Sequence, residues 1–409
     1  MSHRRRPLRA LATVLSAALL GLAALPAQAF DTRARAAFVV DITTDTVLLA
    51  KEADTPLPPA SMSKLMTLYV AFEAIRDGRL RLDEELPVSQ HAMNYGGSTM
   101  FLDTTDRVKV SDLIQGIIVL SGNDACAVIA EALSPDGTEA GFASYMTQRA
   151  HQLGMTNSTF ANSNGWPDPM QRMSMRDLAL LARHIIEDFP EFYEYFSERE
   201  FTFDGRAPQN IHNRNPLLSM GIGADGLKTG HTEEAGYGLV GSAKDAVSGR
   251  RVVFVYAGLD STQARSEEGR SIVNWAFRQF TESTLLDAGE ILPVRLPVHE
   301  GAAPDVGLTV AEDVRTLVPV LTGDGVASEI VARGPVMAPV AAGQELGEII
   351  IRPEGLPEKR IPLIAAEAVP HGGFTSKLQS AARYLLRRLN EGPAETAAAP
   401  AAATPEASS

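Results

Sequence analysis

Strand-like segments stand at both ends of a long helical middle, and this order constrains the fold more than any other feature of the chain. The stretch 37–50 reads as two short strands joined by a Thr-Thr-Asp turn, and strand-like runs return at 236–243 and 251–259. Apolar periodicity predicts helices at 62–78, 111–133, 138–153 and 175–187, and a closing helix within 271–281. We therefore expect an α+β domain over residues 30–283.

The character of the chain changes after residue 290. Short apolar runs separated by Gly, Pro and Asp predict a small β-rich domain at 284–372. Residues 373–390 place apolar side chains such as Phe374 and Leu378 on one helical face, with basic residues among the remainder. Such an amphipathic helix would lie on an anionic membrane surface or dock on its own protein. The Ala- and Pro-rich stretch 391–409 has no periodicity, and we expect it to be disordered.

The first 29 residues have the pattern of a secretory signal peptide. Arginines precede an apolar run that closes on Ala27-Gln28-Ala29. The run is shorter than the ~20 apolar residues that span a bilayer, so a membrane anchor is the less favoured alternative. We expect an exported protein, in the periplasm or at the outer face of the cytoplasmic membrane.

Composition limits the partners and cofactors. The formal net charge is −13, and this acidic balance leaves no broad basic surface, so we expect no nucleic-acid partner. Cys126 is the chain's one cysteine, which excludes an intramolecular disulfide and favours a small core residue. Residues His151, His184 and His212 lack metal-ligand spacing, and we predict no metal ion and no other cofactor.

Three short motifs carry candidate catalytic chemistry. Lysine is scarce, and only Lys64 has a serine, Ser61, three residues before it. The chain's one S-x-N triplet lies at 121–123, and a K-T-G triplet lies at 228–230. Each alone would also fit an ordinary role as a helix N-cap, a turn or the start of a strand. The occurrence of all three motifs in one chain favours a catalytic function.

The first motif makes chemical sense on a helix. The prolines at 58–59 place Ser61 at or near a helix N-terminus, and positions i and i+3 share a helix face. A lysine takes a serine proton only when it is neutral. Burial, the helix end and the ammonium group of Lys228 would all lower the pKa of Lys64.

The other two motifs supply the remaining functions. Ser121 can relay a proton to a leaving amine, and Asn123 can orient a substrate amide or the lysine. Thr229 adds a hydroxyl donor. The backbone N–H groups of Ser61 and His231 can form an oxyanion hole.

These motifs and their flanking residues resemble the low-molecular-mass penicillin-binding proteins, which are the serine-type D-alanyl-D-alanine carboxypeptidases of peptidoglycan metabolism. The resemblance covers about residues 36–283. Similar segments begin with P-A-S-M-S-K-L-M-T at 59–67 and G-G-S-T-M-F at 96–101, and continue with L-G-M at 153–155, N-R-N at 213–215 and D-G-L-K-T-G-H-T at 225–232. The resemblance implies a β-lactamase/transpeptidase-like α/β domain, followed by a small all-β domain and a C-terminal amphipathic helix.

The resemblance also implies residue roles. Ser61 is the acylated nucleophile, Lys64 the base and Ser121 a second catalytic hydroxyl. Substrate-binding positions are Asn123, Lys228, Thr229, Gly230, His231 and Arg265. Arg265 would help to hold the substrate's terminal carboxylate, and His231 would either contact substrate or have a structural role.

The predicted function is removal of the terminal D-Ala from peptidoglycan stem pentapeptides that end in D-Ala-D-Ala, with β-lactams acylating and inhibiting Ser61. A D,D-endopeptidase of cross-links and a non-catalytic wall-binding protein are alternatives. A class A β-lactamase is a further one, but its deacylating glutamate would fall at Asn157. The stretch 166–168 and Thr99 depart from common family residues, which could alter substrate preference. The deacylation base stays open, as does the preferred stem peptide.

Overall fold

The computed structural model describes residues 30–320, 326–332, 334–374 and 378. They form two compact units. The first contains the described residues up to Glu282 with 316–320 and 353–357, and the second contains the rest. The predicted signal peptide, the C-terminal tail and most of the predicted amphipathic helix lie outside the described residues. Within this described part, no helix has both the length and the apolar character that a membrane crossing requires.

A five-stranded antiparallel sheet is the centre of the first unit. Its order is β2-β1-β7-β6-β5, so the N-terminal hairpin pairs with a strand from the far end of the domain. The strands are β1 (Ala36–Asp41), β2 (Thr46–Lys51), β5 (Ala224–Thr232), β6 (Gly236–Lys244) and β7 (Arg251–Leu259), while β3 (Glu85–Pro87) and β4 (Arg107–Lys109) form a separate pair. Strand β5 lies at an edge of the sheet.

Helices lie between and after these strands. They are α1 (Lys64–Arg76), α2 (Gln90–Met93), α3 (Val110–Gln115), α4 (Asn123–Leu133), α5 (Glu139–Gln152), α6 (Met175–Asp188), α7 (Pro190–Tyr193) and α8 (Thr262–Gln279). Every residue of α1 from Lys64 to Ala74 is buried. A helix that is covered on all sides belongs to the core, so its first residue, Lys64, enters an environment with little water.

The central sheet is covered on both faces. In β1, Phe38 and Val40 pack into the core that contains α1, whereas Ala37 and Val39 pack into a second core on the other face. Helix α8 contributes its apolar residues to that second core. The alternation follows from the two-residue period of a strand. A sheet that is buried on both faces gives the site a rigid support.

A buried ion pair stabilises the end of β1. The carboxylate of Asp41 is fully buried, and Arg250 Nε lies 2.9 Å from Asp41 Oδ2. The guanidinium also donates to the carbonyl oxygens of Phe280 and Ala276 at 2.7 and 3.2 Å. Both charges are therefore compensated inside the protein.

One predicted helix is wrong as a continuous element. Instead of one helix over 111–133, α3 passes into a π-helical turn at Gly116–Leu120, Ser121 takes a left-handed φ of 62°, and α4 begins at Asn123. The apolar pattern runs through the break because the segments on both sides pack into the same core. Periodicity alone could not reveal the turn.

Two further elements differ from the sequence patterns. No strand is predicted at 224–232, yet β5 occupies this stretch because it pairs with β6 over its whole length. Pairing overrides the low strand propensity of its Gly and Asp residues. The closing helix α8 begins at Thr262, earlier than predicted, where the Ser261 side chain accepts a hydrogen bond from Ala264 N at 3.0 Å.

The second unit is built on a six-stranded sheet of order β12-β14-β15-β10-β9-β13. Its strands are β9 (Arg295–His299), β10 (Asp305–Thr309), β12 (Ala327–Ala332), β13 (Val336–Met337), β14 (Glu345–Arg352) and β15 (Lys359–Ala365). Strands β8 (Phe280–Leu286) and β11 (Val314–Pro319) form a separate pair and contain residues of both units. Val306, Leu308, Ile351 and Leu363 are among its buried core residues.

Candidate active site

The turn before α1 carries Ser61. Residues Ala60–Ser63 form a single 3-10 turn that leads directly into α1 at Lys64. The Nζ atom of Lys64 lies 2.9 Å from Ser61 Oγ. The first motif therefore places a hydroxyl and an amine in hydrogen-bond contact.

Lys64 has two further hydrogen-bond partners, and together they determine where its amine protons point. Its Nζ atom lies 2.7 Å from Asn123 Oδ1 and 2.6 Å from the carbonyl oxygen of Asn164. Because both of these atoms are acceptors only, a neutral amine donates its two protons to them. Its lone pair is then left facing the Ser61 hydroxyl. This is the arrangement that a general base needs.

The surroundings of Lys64 increase the fraction of its amine that is neutral. Burial lowers the pKa of Lys64 to about 8, and the positive charge of Arg214 acts in the same direction. The pKa of Lys228 is also lowered well below its usual value, by burial and by the charge of Lys64. The two lysines are therefore coupled, and the site disfavours two ammonium charges at once.

The left-handed turn at Ser121 positions the second motif. Because the chain turns there, the Ser121 hydroxyl lies 3.0 Å from Lys228 Nζ, while Asn123 at the start of α4 reaches Lys64. The Asn123 side chain also donates to the carbonyl oxygen of Gly96 at 2.8 Å. A straight helix would not place both side chains in this site.

Strand β5 carries the third motif. Lys228, Thr229 and Gly230 are all buried in the middle of this strand. A β-carbon at Gly230 would lie 2.9 Å from the side chain of Met62 and 2.9 Å from a backbone oxygen of the adjoining turn. Glycine is therefore needed for β5 to pack closely against the turn that holds Ser61.

Two arginines add positive charge to the site. Neither Arg214 nor Arg265 forms an ion pair with a carboxylate among residues that the structure describes. Arg214 donates to the Ser98 hydroxyl, and the buried Arg265 lies 5.6 Å from the ring of Tyr237. The Nε atom of Arg265 has no hydrogen-bond partner among these residues. The buried Arg265 and the exposed Arg214, neither paired with a carboxylate among the described residues, make this part of the site receptive to an anion.

The His231 side chain packs against a neighbour. Its ring stacks on Tyr237 with a distance of 3.9 Å between ring centroids. The stack gives the ring a structural contact on one face, at the end of β5.

Comparison with known proteins identifies the family. The peptidase family S11 of D-alanyl-D-alanine carboxypeptidases matches residues 23–260, and the C-terminal domain of penicillin-binding protein 5 matches residues 280–371. The chain belongs to the D-alanyl-D-alanine carboxypeptidase family. The carboxypeptidase DacD of Escherichia coli is 34% identical over 348 residues, which are 83% of this chain and 88% of the relative.

Solved structures agree with this family. Penicillin-binding protein 5 of Haemophilus influenzae has a TM-score of 0.73 at 31% identity and covers 84% of this chain and 99% of its own. Penicillin-binding protein D2 of Listeria monocytogenes, in its ampicillin-bound form, has a TM-score of 0.54 at 31% identity, with 60% and 97% covered. These findings confirm the predicted family, the predicted succession of a transpeptidase-like domain and an all-β domain, and the prediction of a serine-type peptidase.

The sequence analysis did not identify three residues of this site. The Asn164 carbonyl oxygen binds Lys64, and a backbone oxygen leaves no signal in residue type. The Glu139 carboxylate accepts hydrogen bonds from Tyr95 and His91, both at 2.6 Å, and from Ser163. Burial opposes its ionisation, but these hydrogen bonds outweigh burial and lower the pKa of Glu139. Through these hydrogen bonds, Glu139 connects Ser163, the residue before Asn164, to Tyr95 and His91.

The third missed residue is Asp124, next to Asn123. Its buried carboxylate accepts from the backbone N–H groups of Met100 and Leu102 at 2.9 and 3.1 Å. It thereby holds one loop of the site against α4. The nearby Cys126 is fully buried, and burial raises the pKa of its thiol to about 12, so it stays a neutral core residue.

Proposed function

We propose that this protein hydrolyses the terminal D-Ala-D-Ala bond of peptidoglycan stem peptides through an acyl-enzyme at Ser61. One observation carries the proposal: the buried amine of Lys64 lies 2.9 Å from the Ser61 hydroxyl and has two fixed acceptors for its own protons. The family's name and the names of its relatives describe the same reaction.

Acylation begins with proton transfer from Ser61 Oγ to Lys64 Nζ, while Oγ attacks the carbonyl carbon of the penultimate D-Ala. Negative charge develops on the carbonyl oxygen, and the backbone N–H groups of Ser61 and His231 stabilise it. The Asn123 side chain holds Lys64 in place and orients the substrate amide.

Departure of D-Ala requires a proton on its nitrogen. Ser121 relays to this nitrogen the proton that Lys64 took from Ser61, so that Lys64 is neutral again, and the contact with Lys228 holds the Ser121 hydroxyl in place. The terminal carboxylate binds among Thr229, Arg214 and Arg265, since neither arginine forms an ion pair with a carboxylate of the described residues. The C–N bond breaks and D-alanine leaves with the proton.

Hydrolysis of the ester completes the cycle. Water attacks the carbonyl carbon, its proton passes to Lys64, and Ser61 Oγ takes a proton back as the shortened peptide leaves. We propose Lys64 as the base for this step as well, since among described residues no carboxylate hydrogen-bonds to Ser61 or Lys64.

β-Lactams follow the same first step and form a long-lived ester. The leaving nitrogen of penicillin stays tethered to the acyl group and obstructs the attacking water. The structures of penicillin-binding protein D2 of Listeria monocytogenes in ampicillin-bound and cefotaxime-bound forms support this proposal.

The domain boundaries and the location are also proposals. We propose a signal peptide at 1–29, a catalytic domain at 30–283 and a β-rich domain at 284–372, in a protein exported to the periplasm or to the outer face of the cytoplasmic membrane. The two matched families, at 23–260 and 280–371, support the central boundary.

The test is release of free D-alanine from a diacyl-Lys-D-Ala-D-Ala peptide by the purified protein and by Ser61→Ala. We expect release that the substitution abolishes, together with a penicillin adduct on the native protein alone. Correctly folded protein that releases no D-alanine would contradict the proposal and would favour an endopeptidase. Rapid turnover of penicillin would contradict the long-lived ester.

A further inference from the structure

Two backbone carbonyl groups complete the surroundings of the general base. The Asn164 oxygen lies 2.6 Å from Lys64 Nζ. The Gly96 oxygen accepts from the Asn123 amide nitrogen at 2.8 Å, and the oxygen of the same amide lies 2.7 Å from the lysine Nζ atom. The direction of the amine protons therefore depends on where these two carbonyl groups lie. Residue type does not fix a backbone oxygen, so other contacts have to hold the two segments in place.

The carboxylate of Glu139, the first residue of α5, lies between these two segments. Its Oε1 atom accepts from the backbone N–H group of Ser163 at 2.9 Å and from the Ser163 hydroxyl. Its Oε2 atom lies 2.6 Å from the Tyr95 hydroxyl oxygen and 2.6 Å from His91 Nε2. Ser163 and Tyr95 each stand directly before one of the two carbonyl residues. One carboxylate thus holds both segments.

These contacts form a closed circuit of hydrogen bonds and peptide bonds, which we call the base circuit. Its members are, in order, Lys64, Asn123, Gly96, Tyr95, Glu139, Ser163 and Asn164, which returns to Lys64. The base circuit joins the starts of α1, α4 and α5 to two loop segments. Because the circuit has no free end, each hydrogen bond in it limits the displacement of the others.

The base circuit requires an ionised carboxylate at position 139. Glu139 is 8% exposed, and no lysine or arginine among the described residues forms an ion pair with it. Instead, four donor groups converge on its two oxygens, and His91 Nε2 carries a proton because a carboxylate only accepts. Burial opposes ionisation, but these hydrogen bonds outweigh it and keep the pKa of Glu139 below its usual value. The charge therefore depends on the same donors that the carboxylate holds in place.

The charge of Glu139 does not itself help the base. Burial lowers the pKa of Lys64, whereas the negative charge of Glu139 raises it. An electrostatic role would therefore make acylation faster when that charge is removed. A role in holding the two carbonyl groups would make acylation slower, because the Lys64 amine would lose its fixed acceptors. The two roles differ in the sign of their effect on the rate.

We propose that Glu139 is a positioning residue for acylation: it sets the places of the Gly96 and Asn164 carbonyl groups, and through them the direction of the Lys64 amine. It acts through its hydrogen-bond partners and not on the substrate. This inference rests on the proposed function, in which Lys64 is the base, and it adds to that function a residue at the start of α5.

The test is the single-turnover rate of labelling by a fluorescent penicillin, measured over a range of concentrations. Glu139→Gln keeps the size of the side chain and replaces one acceptor atom by a donor. We expect it to lower the limiting rate by about 10–100-fold and to change the half-saturating concentration by less than about threefold, because a misplaced catalytic group slows the chemical step. Tyr95→Phe removes one donor, keeps the aromatic ring, and should lower the limiting rate by a smaller factor.

A double-mutant cycle shows whether Glu139 acts through the base. Asn123→Ala opens the base circuit at another point, so adding Glu139→Gln to it should slow labelling by less than about threefold more. Independent residues would instead give the product of the two single effects.

Glu73→Gln is the matched control and should retain the native limiting rate. Glu73 is 9% exposed, and its carboxylate accepts from Arg149 Nε and Nη2, which belong to α5 but not to the base circuit. Rates are expressed per molecule labelled at completion, so that unfolded protein does not count.

Three results would overturn the positioning role and leave the proposed function intact. They are an unchanged or faster limiting rate in Glu139→Gln, a double variant slowed by the full product, and an equal fall in Glu73→Gln. Native protein that neither becomes labelled nor releases D-alanine would overturn the proposed function, and this inference with it.

Discussion

The buried amine of Lys64 predicts how acylation depends on pH. A lysine of pKa 10.5 is neutral in ~0.1% of molecules at about pH 7.5, whereas a pKa of about 8 makes roughly one molecule in four neutral. Burial therefore enlarges the reactive fraction by about two orders of magnitude. Since the neutral amine is the base, the acylation rate must rise with pH, by about tenfold between about pH 7 and about pH 9.

The assay is the single-turnover rate of labelling by a fluorescent penicillin at saturating concentration, measured from about pH 6 to about pH 9.5. The variant Arg214→Met makes the assay a test of the electrostatic effect on Lys64. Because the Arg214 charge lowers the pKa of Lys64, its removal raises that pKa and moves the midpoint of the profile to higher pH. Arg270→Met, which removes an exposed charge of α8, should leave the midpoint unchanged.

Two results would refute this reasoning. A labelling rate that is flat across this pH range would show that deprotonation of Lys64 does not limit acylation. A shift of the Arg214→Met midpoint to lower pH would reverse the assigned sign of the electrostatic effect. Lys64→Arg should abolish labelling, because a guanidinium stays charged at every pH of the assay.

Three further outcomes are expected. Ser121→Ala should slow penicillin acylation by about 10²–10⁴-fold through loss of the proton relay, and an unchanged single-turnover rate would contradict that role. Arg250→Met leaves the buried Asp41 carboxylate without its partner and should lower the free energy of unfolding by about 3–5 kcal/mol in urea titrations; native-like stability would contradict this. Gly165→Ala places a β-carbon 1.9 Å from a backbone oxygen of the nucleophile's turn, so penicillin labelling should fall sharply. Gly137→Ala, with a similar positive φ and nothing within 4 Å, should retain labelling, and equal behaviour of the two variants would rule out the steric explanation.

The three catalytic motifs could be recognised in the sequence because the chemistry restricts which residue types they contain. A lysine three positions after a serine on a helical turn can make the contact seen between Lys64 and Ser61. The hairpin β1–β2 and the helices α5 and α6 also follow from local patterns. The family resemblance rests on the same short segments and is confirmed.

Local sequence patterns did not predict the backbone conformation where tertiary contacts determine it. The break at Ser121 lies inside a continuous apolar periodicity, and β5 is rich in residues that disfavour strands. Packing of both flanking helices on one core permits the first, and pairing with β6 imposes the second. Without these two features, Ser121 and Lys228 would not meet.

The sequence by itself determined which groups perform the chemistry: a serine, two lysines and an amide, in the order that the family uses. Only the tertiary structure decided their electrostatic state. The acceptor of Lys64 on the Asn164 backbone and the nearby charge of Arg214 come from segments about one hundred residues or more away from Lys64. A pKa depends on what surrounds a group in space, and no local pattern of residues encodes those surroundings.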